Sequence, residues 1–338
     1  MRPKMPIRLK RGKTLFFRLL RLFGLCGVFG LFGLCGVFGL FGLPLYAQAR
    51  VIWTSRQGPA TACVILNQTE IVVDKAANPA AQELWMYLHL PDRPAHDAPL
   101  VLILPILGGQ NLWIERQFAQ ALNERGLAAA IVIFPQQFER RYFLSLPSGW
   151  LFLDRDPKRI AMNFRQALND LRFILDWADE GGLETVEPQW KPKKIGVLGI
   201  SLGAIVGSIA MARDERFAAG AFLLGGADPA RLIMESHETN KIAKKLKVSY
   251  QELTQRLDGL DLGALAREKG PGNLWKGRPL LIVHAVWDKV IPKACRDRLD
   301  QAMPHARVKK LWAGHFSAIL RIGSIKKETA NFFAENLK

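Results

Sequence analysis

The sequence predicts an α/β domain, a mostly parallel sheet flanked by helices with a helical cap insertion, and three observations predict it. Short apolar runs alternate with longer helical patterns from about residue 60 onward, the order expected of strands joined by crossover helices. Several runs, at 100–104, 128–134 and 194–200, are apolar without a break, as strands buried on both faces must be. One stretch, 228–276, is charged and mainly helical and interrupts the succession.

The elements follow in order. Residues 61–66 and 83–90 read as strands, and the second alternates apolar with polar residues, as an edge or antiparallel strand should. The run 100–104 is a buried strand, followed by the loop Pro105-Ile106-Leu107-Gly108-Gly109 and a helix over 112–125. After the strand 128–134, Asp156 and Pro157 supply an N-cap and a first helical residue. That helix extends to Asp179, with Ile160, Phe164, Leu168, Leu171 and Leu175 on one stripe. The strand 194–200 runs straight into Ser201, and a helix rich in small residues covers 202–213. Residues 217–226 form the next strand and its exit, and 279–286 and 306–312 are the last two strands. The 228–276 segment, between the strands at 217–226 and 279–286, is expected to cover whatever site the strand ends carry.

The N-terminus has a different character. Residues 1–21 hold eight Lys or Arg and no acid, and residues 22–49 carry no charge. The run from Leu22 to Ala47 repeats LFGLCGVFG at 22–30 and 31–39. Pro44 ends any helix, and Ala47-Gln48-Ala49 offers the small residues a signal peptidase reads. Residues 1–49 are therefore expected to be a signal peptide, or an N-terminal membrane anchor if uncleaved, since the run is long enough to span a bilayer. Either way residues 50–338 lie outside the cytoplasm, in the periplasm or beyond the cell. The whole chain carries +17, but only +9 remains for 50–338, and no recognition module accompanies it, so no nucleic-acid partner is expected. A basic surface near anionic lipid or acidic solutes fits better. Of the four cysteines, Cys26 and Cys35 lie in the apolar run, and Cys63 and Cys295 are expected to be buried thiols. No Cys/His spacing resembles a metal site, and no cofactor is implied.

The chemistry is concentrated in Gly199-Ile200-Ser201-Leu202-Gly203. A serine at a sharp strand-to-helix turn projects its hydroxyl above the sheet edge, and glycine two residues on either side lets the turn close. The helix that starts there aims backbone N–H groups at developing negative charge. Two further segments follow in order. Trp287-Asp288-Lys289-Val290-Ile291-Pro292 leaves the strand 279–286, and Gly314-His315-Phe316 leaves the strand 306–312. With these three segments at these strand ends, residues 60–335 resemble the α/β-hydrolase superfamily. The resemblance implies an α/β-hydrolase domain over 50–338 and a triad of Ser201, Asp288 and His315.

The roles have physical reasons. A serine hydroxyl needs a base within hydrogen-bond reach, His315 can take its proton and pass it to the leaving group, and Asp288 can hold the imidazole tautomer. The oxyanion donors are expected to be the N–H of Leu202 and one from the loop after 100–104. Where the family often has His-Gly, this chain has Pro105-Ile106-Leu107, so Ile106 and Leu107 both stay open and Pro105, without an N–H, is excluded. Asp228 is a rival for the acid, because it too follows a strand, but with Pro229 behind it, it reads as the N-cap of a helix over 230–236. His284 reads as structural, and His89, His96, His237 and His305 have no companion pattern. Trp113, Phe143, Trp150 and Trp275 are candidates for a pocket wall or for packing, and Lys241–Lys247 for a solvated helix face. The expected reaction is hydrolysis of an ester-type bond in a small-molecule or lipid-like acyl substrate. Acyl transfer, peptide cleavage and a non-catalytic binding role in the envelope are the alternatives.

Overall fold

The computed structural model describes residues 49–55, 60–67, 83–92 and 94–338. The signal or anchor expected over 1–49 lies, apart from Ala49, outside the described residues. Among the described residues, nine strands form one sheet: β1 Ala49–Ser55, β2 Thr61–Asn67, β3 Glu83–His89, β4 Leu100–Leu104, β5 Ala128–Val132, β6 Ile195–Ile200, β7 Phe217–Leu223, β8 Leu280–Ala285 and β9 Arg307–Leu311. Their order is β1-β2-β3-β5-β4-β6-β7-β8-β9. β1, β2 and β3 pair antiparallel, β3 joins β5 antiparallel, and every pairing from β5 to β9 is parallel.

The strand patterns explain the layers. In β4, Leu100, Leu102 and Leu104 belong to one core and Val101 and Ile103 to the other; β5 and β8 split in the same way. The first core is closed by α2 Pro157–Asp179, α3 Leu202–Arg213 and α9 Lys293–Ala302, and the second by α1 Trp113–Asn123 and α10 Ile322–Leu337. An unbroken apolar strand has no polar face to show water, so helices must cover both sides. β3 alternates half-buried and buried residues, as the sequence suggested. It is not an edge, however, since β1 and β2 lie outside it.

α2 begins as the sequence indicates: the Asp156 side chain accepts the Lys158 N–H at 2.9 Å, and Pro157 is the first helical residue. The 228–276 stretch folds as α4 Pro229–Glu235, α5 Asn240–Leu246, α6 Tyr250–Arg256, α7 Leu262–Lys269 and α8 Pro271–Trp275. α6 packs on α2 and α4, and α7 packs on α3 and α9. Among the described residues no helix is long and apolar enough to cross a membrane. Cys63 and Cys295 are both free and buried, and burial pushes their thiols up to about 11 and about 12.

His89, at the end of β3, is expected to make the fold acid-sensitive. Its Nδ1 lies 3.3 Å from Thr61 Oγ1, while Nε2 is buried without a partner among the described residues. Burial first, and Arg116 second, lower its pKa to about 4. Between about 4 and the ordinary value near 6.5 the unfolded chain binds a proton that the fold refuses, so stability rises with pH across that window. The contribution is fully present above about 6.5 and is lost as pH falls toward 4, by about 3 kcal/mol. Urea unfolding at pH 7 and pH 4 should therefore show a larger loss for the wild type than for His89→Gln. Equal losses would mean that the imidazole is protonated in the fold at little cost.

Candidate active site

The site is built at the C-terminal ends of the parallel strands, where the order reverses between β4 and its neighbours β5 and β6. β6 delivers Ser201 into a tight turn. Ser201 has φ 54° and ψ −111°, a conformation costly for a residue with a side chain. The chain then enters α3 at once. A Cβ on Gly199 would stand 2.2 Å from the Gly203 carbonyl oxygen, and one on Gly203 would stand 2.1 Å from the Leu104 carbonyl oxygen. The turn and its seat on β4 therefore both require glycine. The Ser201 N–H donates to the Leu223 carbonyl at 2.8 Å and the Gly203 N–H to the Pro105 carbonyl at 3.1 Å, which fixes the elbow to both neighbouring strands.

Residues far apart in the chain meet over this turn. Ser201 Oγ lies 3.0 Å from His315 Nε2, and His315 Nδ1 lies 2.8 Å from Asp288 Oδ2. His315 comes from the loop after β9 and Asp288 from the loop after β8. The Asp288 side chain is fully buried, and its other oxygen accepts the N–H groups of Val290 and Ile291, each at 2.8 Å. Those bonds hold the carboxylate in place and leave Oδ2 aimed at the imidazole.

Asp228 faces elsewhere. It caps α4 by accepting the Arg231 N–H at 2.9 Å, and its Oδ2 accepts the Tyr250 hydroxyl at 2.7 Å with Arg231 Nε at 3.4 Å. His284 Nε2 lies 2.7 Å from Asp300 Oδ1, inside the fold.

The two loop residues left open by the sequence differ. The Ile106 N–H donates to Glu115 Oε1 at 3.2 Å, and the Ile106 carbonyl accepts the Gln137 side-chain amide at 2.9 Å. Both ends of that residue are thus occupied. The N–H groups of Leu107 and Leu202 make no hydrogen bond among the described residues, and both residues line the cavity that holds Ser201. Neither Glu115 nor Gln137 was singled out from the sequence. Glu115 is 1% exposed, and burial raises its pKa while its backbone bonds, including that from Ile106, work the other way.

The cavity over Ser201 and His315 measures about 900 Å³. Its wall is largely aliphatic and aromatic, with Phe118, Phe164, Ile205 and Ile325 from four different helices. From the 228–276 stretch, the residues that line it lie between Pro229 and Lys245, while α6 to α8 pack away from it. Trp150 lines the cavity, whereas Trp275 is buried in packing with its indole N–H on the Ala302 carbonyl at 2.6 Å. Trp113 and Phe143 are half exposed at the surface.

No protein-family model and no curated protein matches the sequence. Solved structures do match the fold. A cold-adapted esterase from an Arctic intertidal metagenomic library aligns over 85% of this chain and 97% of its own, at 17% identity and a TM-score of 0.57. The acylaminoacyl peptidase of Pyrococcus horikoshii aligns over 86% of this chain and 42% of its own, at 16% identity and a TM-score of 0.58. A 2,6-dihydroxy-pseudo-oxynicotine hydrolase aligns over 76% of this chain and 65% of its own, at 19% identity and a TM-score of 0.52. With its sheet order, its elbow after β6 and these likenesses together, the chain has the α/β-hydrolase fold.

Proposed function

We propose that the protein is an exported serine hydrolase that cleaves carboxylic ester-type bonds through Ser201, His315 and Asp288. The observation that carries this reading is the unbroken relay from Ser201 Oγ through His315 to Asp288, at 3.0 and 2.8 Å, on the floor of a large apolar cavity. His315 Nε2 takes the serine proton as Oγ attacks the acyl carbon, and Asp288 stabilises the imidazolium. The oxyanion of the tetrahedral intermediate is held by the N–H groups of Leu202 and Leu107, with Ile106 excluded because its N–H is spent on Glu115. The imidazolium then protonates the leaving alcohol, and water, activated by the same histidine, releases the acid from the acyl-enzyme.

The apolar wall supports an ester over a peptide bond as the preferred substrate, because a peptide would bring unpaired amide groups into a site with few partners for them. The test of the chemistry is covalent labelling by a fluorophosphonate probe, expected at Ser201 alone. Export is part of the proposal and rests on residues 1–49. The N-terminal sequence of the protein recovered from the cell envelope should begin at Arg50. A start upstream of Leu22 in the membrane fraction would instead mark a retained anchor.

A further inference from the structure

Strands β4 to β9 run parallel, so their C-terminal ends open on one edge of the sheet. The loops leaving that edge hold large apolar side chains out in water. Trp113 stands at the start of α1, and Phe143, Leu144 and Trp150 lie in the loop after β5. Trp287 follows β8, and Trp312, Phe316 and Leu320 follow β9. Leu144, Trp312 and Leu320 are 70%, 73% and 83% exposed. Among the described residues, every exposed large apolar side chain except Ile52, Tyr250 and Val308 belongs to these loops. The Trp287 and Trp312 rings lie 6.1 Å apart, which joins the loops after β8 and β9. Trp150 and Phe316 also line the cavity, so the apolar surface reaches its opening. A clustered surface of this kind is unusual on a soluble monomer and marks a contact face.

Its charge says what the contact is. Arg155, Lys241 and Lys245 line the same cavity, and Lys244 and Lys247 sit on and just after the same helix, α5. All five are exposed, and none forms an ion pair among the described residues. The two carboxylates on that cavity, Asp154 and Glu238, are already near Arg159 at 3.5 Å and His237 at 3.6 Å. Unpaired cations beside tryptophan and leucine match a bilayer interface, where indole rings settle at headgroup depth and lysines meet anionic headgroups. A second copy of the chain fits less well, because a two-fold contact through this edge would set the same unpaired cations against each other.

We propose that the edge carrying Ser201 docks on the surface of an anionic lipid bilayer, with the loops after β5, β8 and β9 at headgroup depth and α5 above the headgroups. Docking there turns the cavity mouth toward the lipid. If the hydrolase reading holds as well, an acyl chain passes from bilayer to cavity without crossing water, but the docking itself does not depend on that reading.

The test is segment-resolved hydrogen exchange of the full chain, with vesicles of phosphatidylcholine alone and of phosphatidylcholine mixed with phosphatidylglycerol. Residues 142–150 and 312–321 should be protected on the mixed vesicles and not on the neutral ones. The triple variant Leu144→Ser, Trp312→Ser, Leu320→Ser should lose that protection and partition at least about ten-fold more weakly. Lys244→Glu with Lys247→Glu should lower partitioning on the mixed vesicles by at least about five-fold per charge. Equal exchange on the two kinds of vesicle overturns the proposal. So does protection that appears without vesicles and grows with protein concentration, which would show a second copy covering the face. Because the readout is exchange at the loops, a retained N-terminal anchor cannot mimic the expected pattern, and an inactive but docking protein would separate this proposal from the hydrolase reading.

Discussion

Ser201→Ala is expected to remove turnover of acyl esters by about four to six orders of magnitude and to abolish fluorophosphonate labelling. The expectation follows from what the hydroxyl touches. Its hydrogen bond is to His315 Nε2, so the substitution removes the nucleophile and breaks no bond that holds the elbow. The turn is kept by the Ser201 N–H on Leu223 and by the glycines packed against β4 and α3, none of which changes. Alanine accepts the positive φ of this position no worse than serine, so the melting temperature should stay within a few degrees of wild type. Residual activity above the water rate should persist, because the N–H groups of Leu202 and Leu107, the proposed oxyanion donors, are untouched by the substitution. Labelling that survives in a folded Ser201→Ala protein would place the activated nucleophile elsewhere and sink the assignment.

How far the sequence could be read depends on the kind of signal each element leaves. The central strands were legible because both faces are buried, and an unbroken run such as Leu100–Leu104 admits few other readings. The elbow was legible because steric exclusion writes itself into the sequence: Gly199 and Gly203 are needed where a Cβ would meet backbone. β1 was not, since Arg50, Ile52 and Thr54 alternate on an edge strand directly after an apolar run that masks its start. β3 showed its antiparallel pattern but not its place in the sheet, because half-burial looks the same at an edge and inside a partly covered sheet. The support for the loop after β4 was also invisible. Glu115 reads as one more acid in the first turn of a helix, and only the fold brings it under Ile106, where it takes one candidate N–H out of use. The cavity wall was similarly hidden, because Phe118, Ile205 and Ile325 are ordinary buried helix residues until the strand order places them around one serine.

Asp288→Asn and Asp228→Asn should differ sharply, and the difference tests the proposed acid of the triad against its nearest rival. In wild type, Asp288 Oδ2 lies 2.8 Å from His315 Nδ1 and, as an acceptor, favours the tautomer with the proton on Nδ1, which leaves Nε2 free to accept the serine proton. An asparagine there can still accept the N–H groups of Val290 and Ile291 through its oxygen, so the loop keeps its shape. Its amide NH2 then faces Nδ1, the imidazole is held in the other tautomer, and Nε2 carries a proton where a base is required. The cost should be about four orders of magnitude in kcat with the fold intact. Activity should recover in part at high pH, where hydroxide can take the serine proton in place of the imidazole.

Asp228 lies in a different network. Asparagine keeps the cap on the Arg231 N–H but gives up the charge that faces Arg231 and Arg298 and accepts the Tyr250 hydroxyl. Because that carboxylate is buried, the loss should cost about 1–3 kcal/mol of stability, while turnover of the folded protein stays within a few-fold of wild type. Steady-state kinetics and urea unfolding on the two variants separate the roles. If Asp228→Asn is inactive while folded and Asp288→Asn turns over normally, the carboxylate that orients His315 during catalysis is Asp228, and the short bond from His315 to Asp288 belongs to a resting arrangement that substrate rearranges.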